Sequence, residues 1–194
     1  VGASVVNALS EWLEVKICRD GKIYKQRYER GHVVHPLEEI GVCALEETGT
    51  QVDFLPDKEV FEVTEFDYDT LKVRFREMAF LTKGLKICLT DRREEKPVTR
   101  EFHYEGGIKE FVAYLNRGKT ALYEEVIYCE GEKDGVQVEV AMQHNDSYTE
   151  NTYGFVNNIT TPEGGTHIVG FRNALTKTFN EYARKNKLIK DNEQ

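Results

Sequence analysis

Residues 148–167 read YTENTYGFVNNITTPEGGTH, and this stretch decides how the second half of the chain folds. Thr152–Ile159 has the composition of a strand, and Pro162 ends that pattern because proline cannot donate to a strand ladder. The glycine pair Gly164-Gly165 then precedes apolar residues spaced three or four apart, which predicts a final helix. These apolar residues are Ile168, Phe171, Leu175, Phe179 and Tyr182. A strand, a turn and a helix are therefore expected here, followed by a polar tail, Arg184–Gln194.

Two details of this stretch have a chemical interpretation. The paired amides Asn157-Asn158 need hydrogen-bond partners if they are buried, so we expect them to tie the strand end to a neighbouring loop. The glycine pair ahead of the helix fits either an anion site or a tight turn. The residues themselves favour the turn.

Outward from this stretch, the chain alternates between helical and strand patterns. A two-residue hairpin is indicated at Asp20-Gly21. The predicted helices are Val1–Leu13, a segment from a Thr64 cap to Gly84, and a segment around Ile108–Leu115; the predicted strands are Glu14–Arg19, Lys22–Arg30, Gln51–Leu55, Leu85–Thr90, Val126–Cys129 and Val136–Met142. The charged stretch Asp91–Arg100 is expected to be a solvated loop at a domain seam. The fold class is therefore α+β, with two units whose helices cover one face of a mostly antiparallel sheet.

Composition excludes several classes of protein. The 194 residues carry a formal charge of −8, so nucleic acid cannot be held by bulk counterion release and any DNA contact needs a local basic patch. No apolar run reaches the roughly 20 residues of a membrane helix, and no signal peptide is visible. The four cysteines lie at least 25 residues apart, which excludes a CxxC site and a disulfide scaffold. Free thiols in a reducing cytoplasm are expected.

A few residues are candidates for ligand binding. Gly2 and Ser4 open the first predicted helix, whose free amides either cradle an anion or form an ordinary helix start. Thr50, after Gly49, either hydrogen-bonds a small ligand or is simply a strand residue after a turn. Arg19, beside the hairpin turn, is by default an exposed charge.

The residue pattern favours neither a metal site nor acyl transfer. His32 and His35 have helical spacing, but Pro36 follows and no cysteine or carboxylate completes a tetrahedral set. The sequence contains no GxSxG, and nothing places a cysteine nucleophile beside a histidine. The residue chemistry on its own therefore predicts a two-part α+β protein with one weak anion site and names no reaction.

Three motifs carry a resemblance to a known family. They are VGASVVNALS at residues 1–10, YEGGIK at residues 104–109, and the opening stretch 148–167. In this order, over essentially the whole chain, they resemble the B subunits of bacterial DNA gyrase, which are type IIA topoisomerases. Gly170-Phe171-Arg172 is more similar to gyrase than to the paralogous topoisomerase IV protein.

The resemblance implies a domain organisation. Residues 1–103 would be the later half of a GHKL-type ATPase domain, an incomplete α/β sandwich of the kind shared with Hsp90, histidine kinases and MutL. Residues 104–194 would be most of a transducer domain with a ribosomal protein S5 domain 2-like fold, without its last strands. The chain would begin inside the family's GLHGVG motif, of which Val1 and Gly2 are the end.

The resemblance also implies an ATP site. Val1, Gly2 and Ala3 would offer backbone amides to the phosphates, which agrees with the anion site considered above. Gly49 and Thr50 match the family's pair at the adenine pocket, where the threonine holds the base together with an aspartate and a water. One further residue, Val52, would line that pocket.

Two arginines receive roles by resemblance. Arg19 matches the arginine at the pocket rim that aminocoumarin inhibitors engage. Arg172 would face the interior cavity of the dimer through which a DNA segment passes, and it would form a positive spot on an acidic protein.

Catalytic groups of the family fall outside these residues. The general-base glutamate, the Mg²⁺-binding asparagine and the adenine-binding aspartate would precede Val1, and the transducer lysine would follow Gln194. Since phosphoryl transfer depends on such positioning and charge stabilisation, the 194 residues by themselves are expected neither to hydrolyse ATP nor to bind it tightly.

In the parent enzyme, ATP binding would close two B subunits around DNA, and hydrolysis would reopen them, with rotation across the seam near residues 91–103. The implied partners are DNA, the A subunit of gyrase, plus a second copy of the B protein. ATP and Mg²⁺ are the implied cofactors, and the setting is the cytoplasm, without a membrane. Three alternatives stay open: the B-type protein of topoisomerase IV, another GHKL ATPase such as a MutL-like protein, and a non-enzymatic S5-like interaction module.

Overall fold

The computed structural model describes residues 1–190, and its contacts divide the chain into two compact units, Val1–Asp67 and Tyr68–Gln194. The boundary expected between residues 103 and 104 concerns the family's domains, and it stays a prediction. Helices and antiparallel strands occur in both units, which confirms the α+β class. None of the helices in residues 1–190 has the length and apolar character needed to cross a membrane.

The first unit is a short helix followed by a four-stranded antiparallel sheet. Its elements are α1 (Gly2–Ala8), β1 (Ser10–Arg19), β2 (Lys22–Glu29), β3 (His32–Val42) and β4 (Gly49–Pro56). The strand order is β3-β2-β1-β4, so β3 and β4 form the two edges within the described residues.

The first helix is shorter than predicted, because Trp12 and Leu13 belong to β1 rather than to a helix. The Ser10 hydroxyl donates to the carbonyl of Val6 at 2.6 Å and so satisfies an acceptor at the helix end. Leu13 is buried, and the register places it opposite Tyr28 on β2 and Phe54 on β4. Packing in the sheet therefore outweighs the local helical spacing.

The hairpin at Asp20-Gly21 is confirmed, since both residues have positive φ, 53° and 75°. A second hairpin, between β2 and β3, turns at Arg30-Gly31 with φ of 47° and 81°. Sequence reasoning missed it and considered His32 and His35 only as metal ligands. Both histidines instead lie in β3.

The expectation of free thiols is wrong for two of the four cysteines. Cys18 and Cys43 form a disulfide with a Cα–Cα distance of 6.6 Å, although they are 25 residues apart in sequence. The sheet brings them together because β1 and β3 run in the same direction on either side of β2. Cys18 lies near the end of β1 and Cys43 directly follows β3, so both lie at the same end of the sheet. Cys88 and Cys129 are free and exposed, as expected.

The second unit combines three helices with three two-stranded sheets in the described residues. Its elements are α2 (Tyr68–Leu81), β5 (Lys86–Asp91), β6 (Val98–His103), α3 (Ile108–Leu115), β7 (Ile127–Lys133), β8 (Val136–Met142), β9 (Phe155–Val156), β10 (Ile159–Thr160) and α4 (Thr166–Lys185). Phe80 is almost fully buried, and its ring stacks on Tyr104 at 3.6 Å and on Phe111 at 4.9 Å between centroids. An aromatic cluster thus joins α2 to α3.

The charged stretch Asp91–Arg100 is an exposed loop with a strand residue at its start and strand residues at its end. It contains the turn of the β5–β6 hairpin, in which Leu89 pairs with Arg100 and Thr90 pairs with Thr99. Part of the expected loop is therefore paired strand, whereas the domain seam expected near it stays a prediction. Cross-strand hydrogen bonds tolerate the high charge because the side chains remain exposed.

Other boundaries shift by a few residues. The second helix begins at Tyr68 rather than after Thr64, whereas Gly84 follows its end with φ of 80° as predicted. The strand expected over Thr152–Ile159 is two short strands, β9 and β10, because Asn157 and Asn158 both have positive φ and form the turn between them. The predicted polar tail begins inside α4, and residues 191–194 lie outside the described residues.

Candidate functional site

The three residues expected at the adenine pocket lie together at the start of β4. Gly49, Thr50 and Val52 pair with Cys18, Ile17 and Val15 of β1, respectively. Because side chains alternate along a strand, Thr50 and Val52 share one face of the sheet. Val52 is 49% exposed, so this face is open within the first unit.

The two faces of the sheet differ in charge. The face of Thr50 also carries Val15 and Ile17, whereas the opposite face carries a network around Glu14. The Glu14 carboxylate lies 3.0 Å from the Lys25 ammonium and 3.5 Å from the Arg27 guanidinium. Its hydrogen bond from Lys25 holds the pKa of Glu14 below the usual range. The face of Thr50 is therefore suited to an uncharged ring.

The residues expected at the phosphates begin α1. The first intrahelical hydrogen bond runs from the Val5 amide to the Val1 carbonyl, so the amides of Gly2 and Ala3 precede the hydrogen-bonded ladder. The Val1 side chain is fully exposed, and a Cβ added at Gly2 would meet no atom within 4 Å. Packed side chains therefore do not block the start of this helix.

The two parts of the expected site enter the sheet at opposite ends of β1. Helix α1 leads into β1 at Ser10, which pairs with Pro56, whereas Thr50 pairs with Ile17 near the other end. At about 3.3 Å per residue, Ser10 and Ile17 are roughly 23 Å apart along the strand. The structure thus brings Gly49, Thr50 and Val52 together and assigns Val1–Ala3 to a separate segment.

Two depressions on the surface of the first unit lie elsewhere. One lies near the β2–β3 turn, and the other lies over the charged face of the sheet. They are lined by Glu11, Trp12, Glu29, Arg30, His32 and Val34, and by Glu14, Lys25, Gln26, Arg27, His35 and Glu38. Neither depression is lined by Thr50 or Val52.

Arg19 ends β1 beside the Asp20-Gly21 turn. Its side chain is 76% exposed, and its Nε lies 3.5 Å from the Asp20 carboxylate. An exposed pair of this kind holds a side chain only weakly. The guanidinium is thus free to reorient. Arg19 directly follows Cys18, the β1 residue that pairs with Gly49 of β4.

Arg172 lies on α4 and forms an ion pair. Its Nη2 donates to Oε1 of Glu150 at 2.6 Å, and both side chains are more than half exposed. Hydrogen bonds from Thr152 and Arg172 lower the pKa of Glu150. The positive spot expected at Arg172 is therefore offset by a carboxylate.

The glycine pair before α4 forms a turn, as the residues favoured. Gly164 and Gly165 have φ of 80° and 148°, which side chains rarely adopt. The neighbouring Gly154 is tightly packed, because an added Cβ would lie 2.6 Å from Ile168 and 3.1 Å from His167. His167 in turn is hydrogen-bonded to Thr161 at 2.8 Å. Positive φ at Gly164 and Gly165, together with close packing at Gly154 and Gly165, accounts for the glycines without an anion.

Sequence comparison decides the family. The gyrase B protein of Bacillus mycoides is 55% identical over 192 residues, 98% of this chain and 47% of that relative. The chain belongs to the gyrase B family. A family model described as DNA gyrase B matches residues 107–194. This similarity decides against the two alternatives outside the topoisomerases, a MutL-like ATPase and a stand-alone S5-like module.

Other relatives agree with this assignment. The B protein of topoisomerase 4 from Enterococcus faecalis is 54% identical over 100% of this chain and 28% of its own. A crystal structure of the 43K ATPase domain of Thermus thermophilus gyrase B with an aminocoumarin matches with a TM-score of 0.87 at 38% identity. The match covers 99% of this chain and 52% of the crystallised chain. The fold is thus that of the gyrase B ATPase region. The chain spans about half or less of these gyrase B family proteins.

Sequence reasoning missed the Cys18–Cys43 disulfide, which lies beside Gly49. The spacing of the cysteines in the sequence did not reveal the bond, since spacing alone does not show which strands pair. The alternation of β3 could have been recognised from Val33, His35 and Leu37, and an even number of cysteines near two hairpins could have suggested the bond.

Proposed function

We propose that this chain is the nucleotide-binding and transducing part of a gyrase B protein. In the whole protein it would couple ATP binding and hydrolysis to DNA strand passage and negative supercoiling. The observation that carries this proposal is the 55% identity to the Bacillus mycoides gyrase B protein over 98% of the chain. Supercoiling of relaxed plasmid by the full-length protein, with the A subunit of gyrase and ATP, tests it. The absence of an ATP-dependent topology change would contradict it.

The adenine base of ATP would lie on the uncharged face of β4. Thr50 would hydrogen-bond the base, Gly49 would allow its close approach, and Val52 would pack against the ring. The amides of Val1, Gly2 and Ala3 would meet the phosphates, since free N–H groups at a helix start favour anions. The base and the phosphates would thus contact two segments that join β1 at opposite ends.

Two substitutions on β4 test the base contact. In the full-length protein, Thr50→Ala removes one hydrogen bond and should weaken binding of a non-hydrolysable ATP analogue about threefold to tenfold. Gln51→Ala is the matched control, since Gln51 lies on the opposite face and bonds Asp53. Equal affinities of the two variants, measured by titration calorimetry, would remove Thr50 from the site.

The 194 residues alone should not hydrolyse ATP. The family's general base, Mg²⁺-binding asparagine and transducer lysine all match positions outside them, so charge on the transferred phosphoryl group would be left unstabilised. A coupled ATPase assay with Mg²⁺ on this chain and on the full-length protein tests the proposal. Turnover by the chain alone would contradict it.

Arg19 would contact aminocoumarin inhibitors at the rim of the ATP site. Its exposure and weak pairing with Asp20 leave the guanidinium available. Arg19→Ala in the full-length protein should weaken aminocoumarin binding while leaving ATP-analogue affinity within about twofold, because a rim residue loses little when the base is held elsewhere. Unchanged inhibitor affinity would exclude this role.

Arg172 would line the cavity that passes a DNA segment in a dimer of B subunits. Its pairing with Glu150 means that a DNA phosphate must compete with a carboxylate. Glu150→Gln should therefore increase DNA-stimulated ATPase activity at low salt, and Arg172→Gln should decrease it. Identical behaviour of both variants would argue against the cavity role. The proposed partners remain DNA, the A subunit of gyrase, plus a second copy of the B protein, in the cytoplasm.

The B-type protein of topoisomerase IV is the second candidate. It is favoured by the 54% identity to the Enterococcus faecalis topoisomerase 4 relative, which nearly equals the 55% identity to the Bacillus mycoides gyrase relative. The supercoiling assay distinguishes the two, since negative supercoils introduced into relaxed plasmid indicate gyrase. ATP-dependent relaxation without negative supercoils would favour topoisomerase IV.

A further inference from the structure

The segment from Cys43 to Gly49 carries the chain between the two edges of the first sheet. Because β2 and β1 lie between β3 and β4, the segment must span three strand spacings, about 14 Å. Along the way the Cys43 amide donates to the Gly21 carbonyl at 3.0 Å. A turn follows, in which the Glu47 amide donates to the Ala44 carbonyl at 3.1 Å. The crossing therefore passes the tip of the β1–β2 hairpin.

Cys18 holds this crossing at both ends. Its sulfur is bonded to Cys43, where the crossing begins, and its backbone pairs with Gly49, where β4 begins. Thr50 is the next residue and pairs with Ile17. The disulfide thus fixes the segment that delivers Gly49 and Thr50 to the sheet.

The surroundings of the two sulfurs also suit the reduced pair. The Cys18 Sγ lies 3.3 Å from the Glu47 carbonyl, and the Cys43 Sγ lies 3.5 Å from the Lys22 carbonyl. As thiols, each sulfur could donate a weak hydrogen bond to its carbonyl. Both side chains are only half buried, so a small reagent can reach them. Either redox state can therefore be accommodated with little rearrangement.

We infer that Cys18 and Cys43 are a reversible dithiol–disulfide pair that controls how firmly β4 presents Gly49 and Thr50. Disulfides in reducing compartments are usually transient or redox-sensing rather than structural. The consequence for nucleotide binding rests on the proposed function, since it takes Thr50 as a contact to the base. Oxidation stiffens the crossing, and reduction loosens it.

The oxidant is a low-molecular-weight disulfide of the glutathione type. The thiolate of one cysteine attacks a sulfur of the external disulfide, forms a mixed disulfide and releases one small thiol. The second cysteine's thiolate then attacks the protein sulfur of that mixed disulfide and releases the other small thiol. Two electrons pass from the cysteine pair to the external disulfide, and both cysteine protons go to solvent or to the released thiolates.

The first test follows the redox state of the full-length protein in defined mixtures of reduced and oxidised glutathione, by alkylation and mass spectrometry. Cys18 and Cys43 should convert together, as a two-electron couple, within the mixtures tested. Cys88 and Cys129, free in this structure, serve as internal controls that should not pair. A pair that stays fully reduced or fully oxidised in every mixture would overturn the inference.

A metal site is the competing outcome of the same test. Cys18, Cys43 and Glu47 have ligand atoms within 4.8 Å of one another, and thiolates are good zinc ligands. The redox inference would be overturned if the reduced protein binds one zinc ion and that ion protects both thiols from oxidised glutathione. The inference is supported if the parent protein binds no zinc and forms the disulfide with oxidised glutathione, whereas Cys18→Ser/Cys43→Ser forms none.

The second test measures hydrogen exchange and nucleotide binding in both redox states. Amides of residues 44–50 should exchange faster on reduction, and Cys18→Ser/Cys43→Ser should behave as reduced in either buffer, whereas Cys88→Ser/Cys129→Ser should respond like the parent. Unchanged exchange at residues 44–50 would overturn the inference. The oxidised protein should bind an ATP analogue at least about fivefold more tightly. Equal, measurable affinities in the two redox states would overturn only the proposed effect of the disulfide on nucleotide binding. If neither state binds the analogue, the proposed function is refuted, and the hydrogen-exchange result still decides the inference about the cysteine pair.

Discussion

Asp57 is the most constrained charged residue of the first unit. Its carboxylate accepts hydrogen bonds from Nε of Arg30 at 2.7 Å and from the Glu59 amide at 2.9 Å. Its own amide donates to the Leu9 carbonyl at 3.1 Å. One buried residue thus joins the end of β4, the β2–β3 turn and the end of α1. The Arg30 hydrogen bond is the main cause that lowers the pKa of Asp57.

The substitution Asp57→Asn should therefore destabilise the first unit in a pH-dependent way. A carboxylate whose pKa is lower in the folded state contributes stability above its unfolded pKa, near 3.8, and this contribution is lost as pH falls through the folded pKa. The variant should be less stable at pH 7, and the difference should shrink below about pH 4. Urea unfolding followed by the fluorescence of Trp12, the single tryptophan, measures it.

The matched control for this prediction is Asp20→Asn. Asp20 is exposed in a turn with positive φ, which asparagine tolerates well. We expect its unfolding curve to match the parent at both pH values. A pH-independent effect of Asp57→Asn would mean that the charge on Asp57 is not what stabilises this corner.

At the scale of elements, two-residue turns with positive φ set the strand pairing. Asp20-Gly21 and Asp134-Gly135 have the turn chemistry that sequence recognises readily. Arg30-Gly31 and Asn157-Asn158 adopt the same conformations with less typical residues. Sequence reasoning located Asp20-Gly21 and missed Arg30-Gly31, because arginine at φ of 47° is stabilised by its tertiary contact with Asp57 rather than by local preference.

Glycine substitutions in the two turns of the first sheet should differ in cost. Gly21→Ala places a Cβ 3.6 Å from Leu45, an ordinary contact, so only the positive φ opposes it, at about 1–2 kcal/mol. Gly31→Ala has the same penalty and also places its Cβ 3.3 Å from the Ala8 Cα, which is backbone and cannot move freely. The free energy of unfolding from urea titrations should fall more for Gly31→Ala. Equal losses would show that α1 yields without cost.

At the scale of the molecule, burial is uneven between the two units. Within residues 1–190, the buried apolar side chains are Leu13, Ala79, Phe80, Phe102 and Phe111, and of these Leu13 alone belongs to the first unit. Many apolar side chains of the first sheet are exposed, among them Val33, Leu37 and Ile40 on β3.

The first unit should accordingly open more easily than the second. Local stability follows the number of buried apolar contacts, so amides of β3 should exchange with solvent faster than those of α2 and α3. Hydrogen exchange with mass spectrometry on the 194-residue chain measures this. Slower exchange in β3 than in α2 would indicate that the exposed sheet face is covered in solution, for example by a second copy.

Reduction of the disulfide should weaken this unit further. Closing a loop of 25 residues stabilises a fold by about 3 kcal/mol through the entropy of the unfolded chain. Cys18→Ser/Cys43→Ser should therefore lower the urea midpoint reported by Trp12 fluorescence under oxidising conditions. The parent protein with dithiothreitol should match the variant, and a midpoint that ignores reductant would show that the bond does not form in solution.

The sequence by itself determined the fold class, the family and the residues expected at the ATP site, because these depend on local patterns and on motifs that are contiguous in the chain. The turn at Asp20-Gly21 was found in this way, and the roles of Thr50 and Val52 at the ATP site stay predictions from motif resemblance. Only the tertiary structure decided that Trp12 and Leu13 join a strand, that residues 91–100 form a hairpin end, and that Cys18 meets Cys43. Each of these depends on which strands pair, and pairing is set by contacts between residues far apart in sequence, to which no local pattern responds.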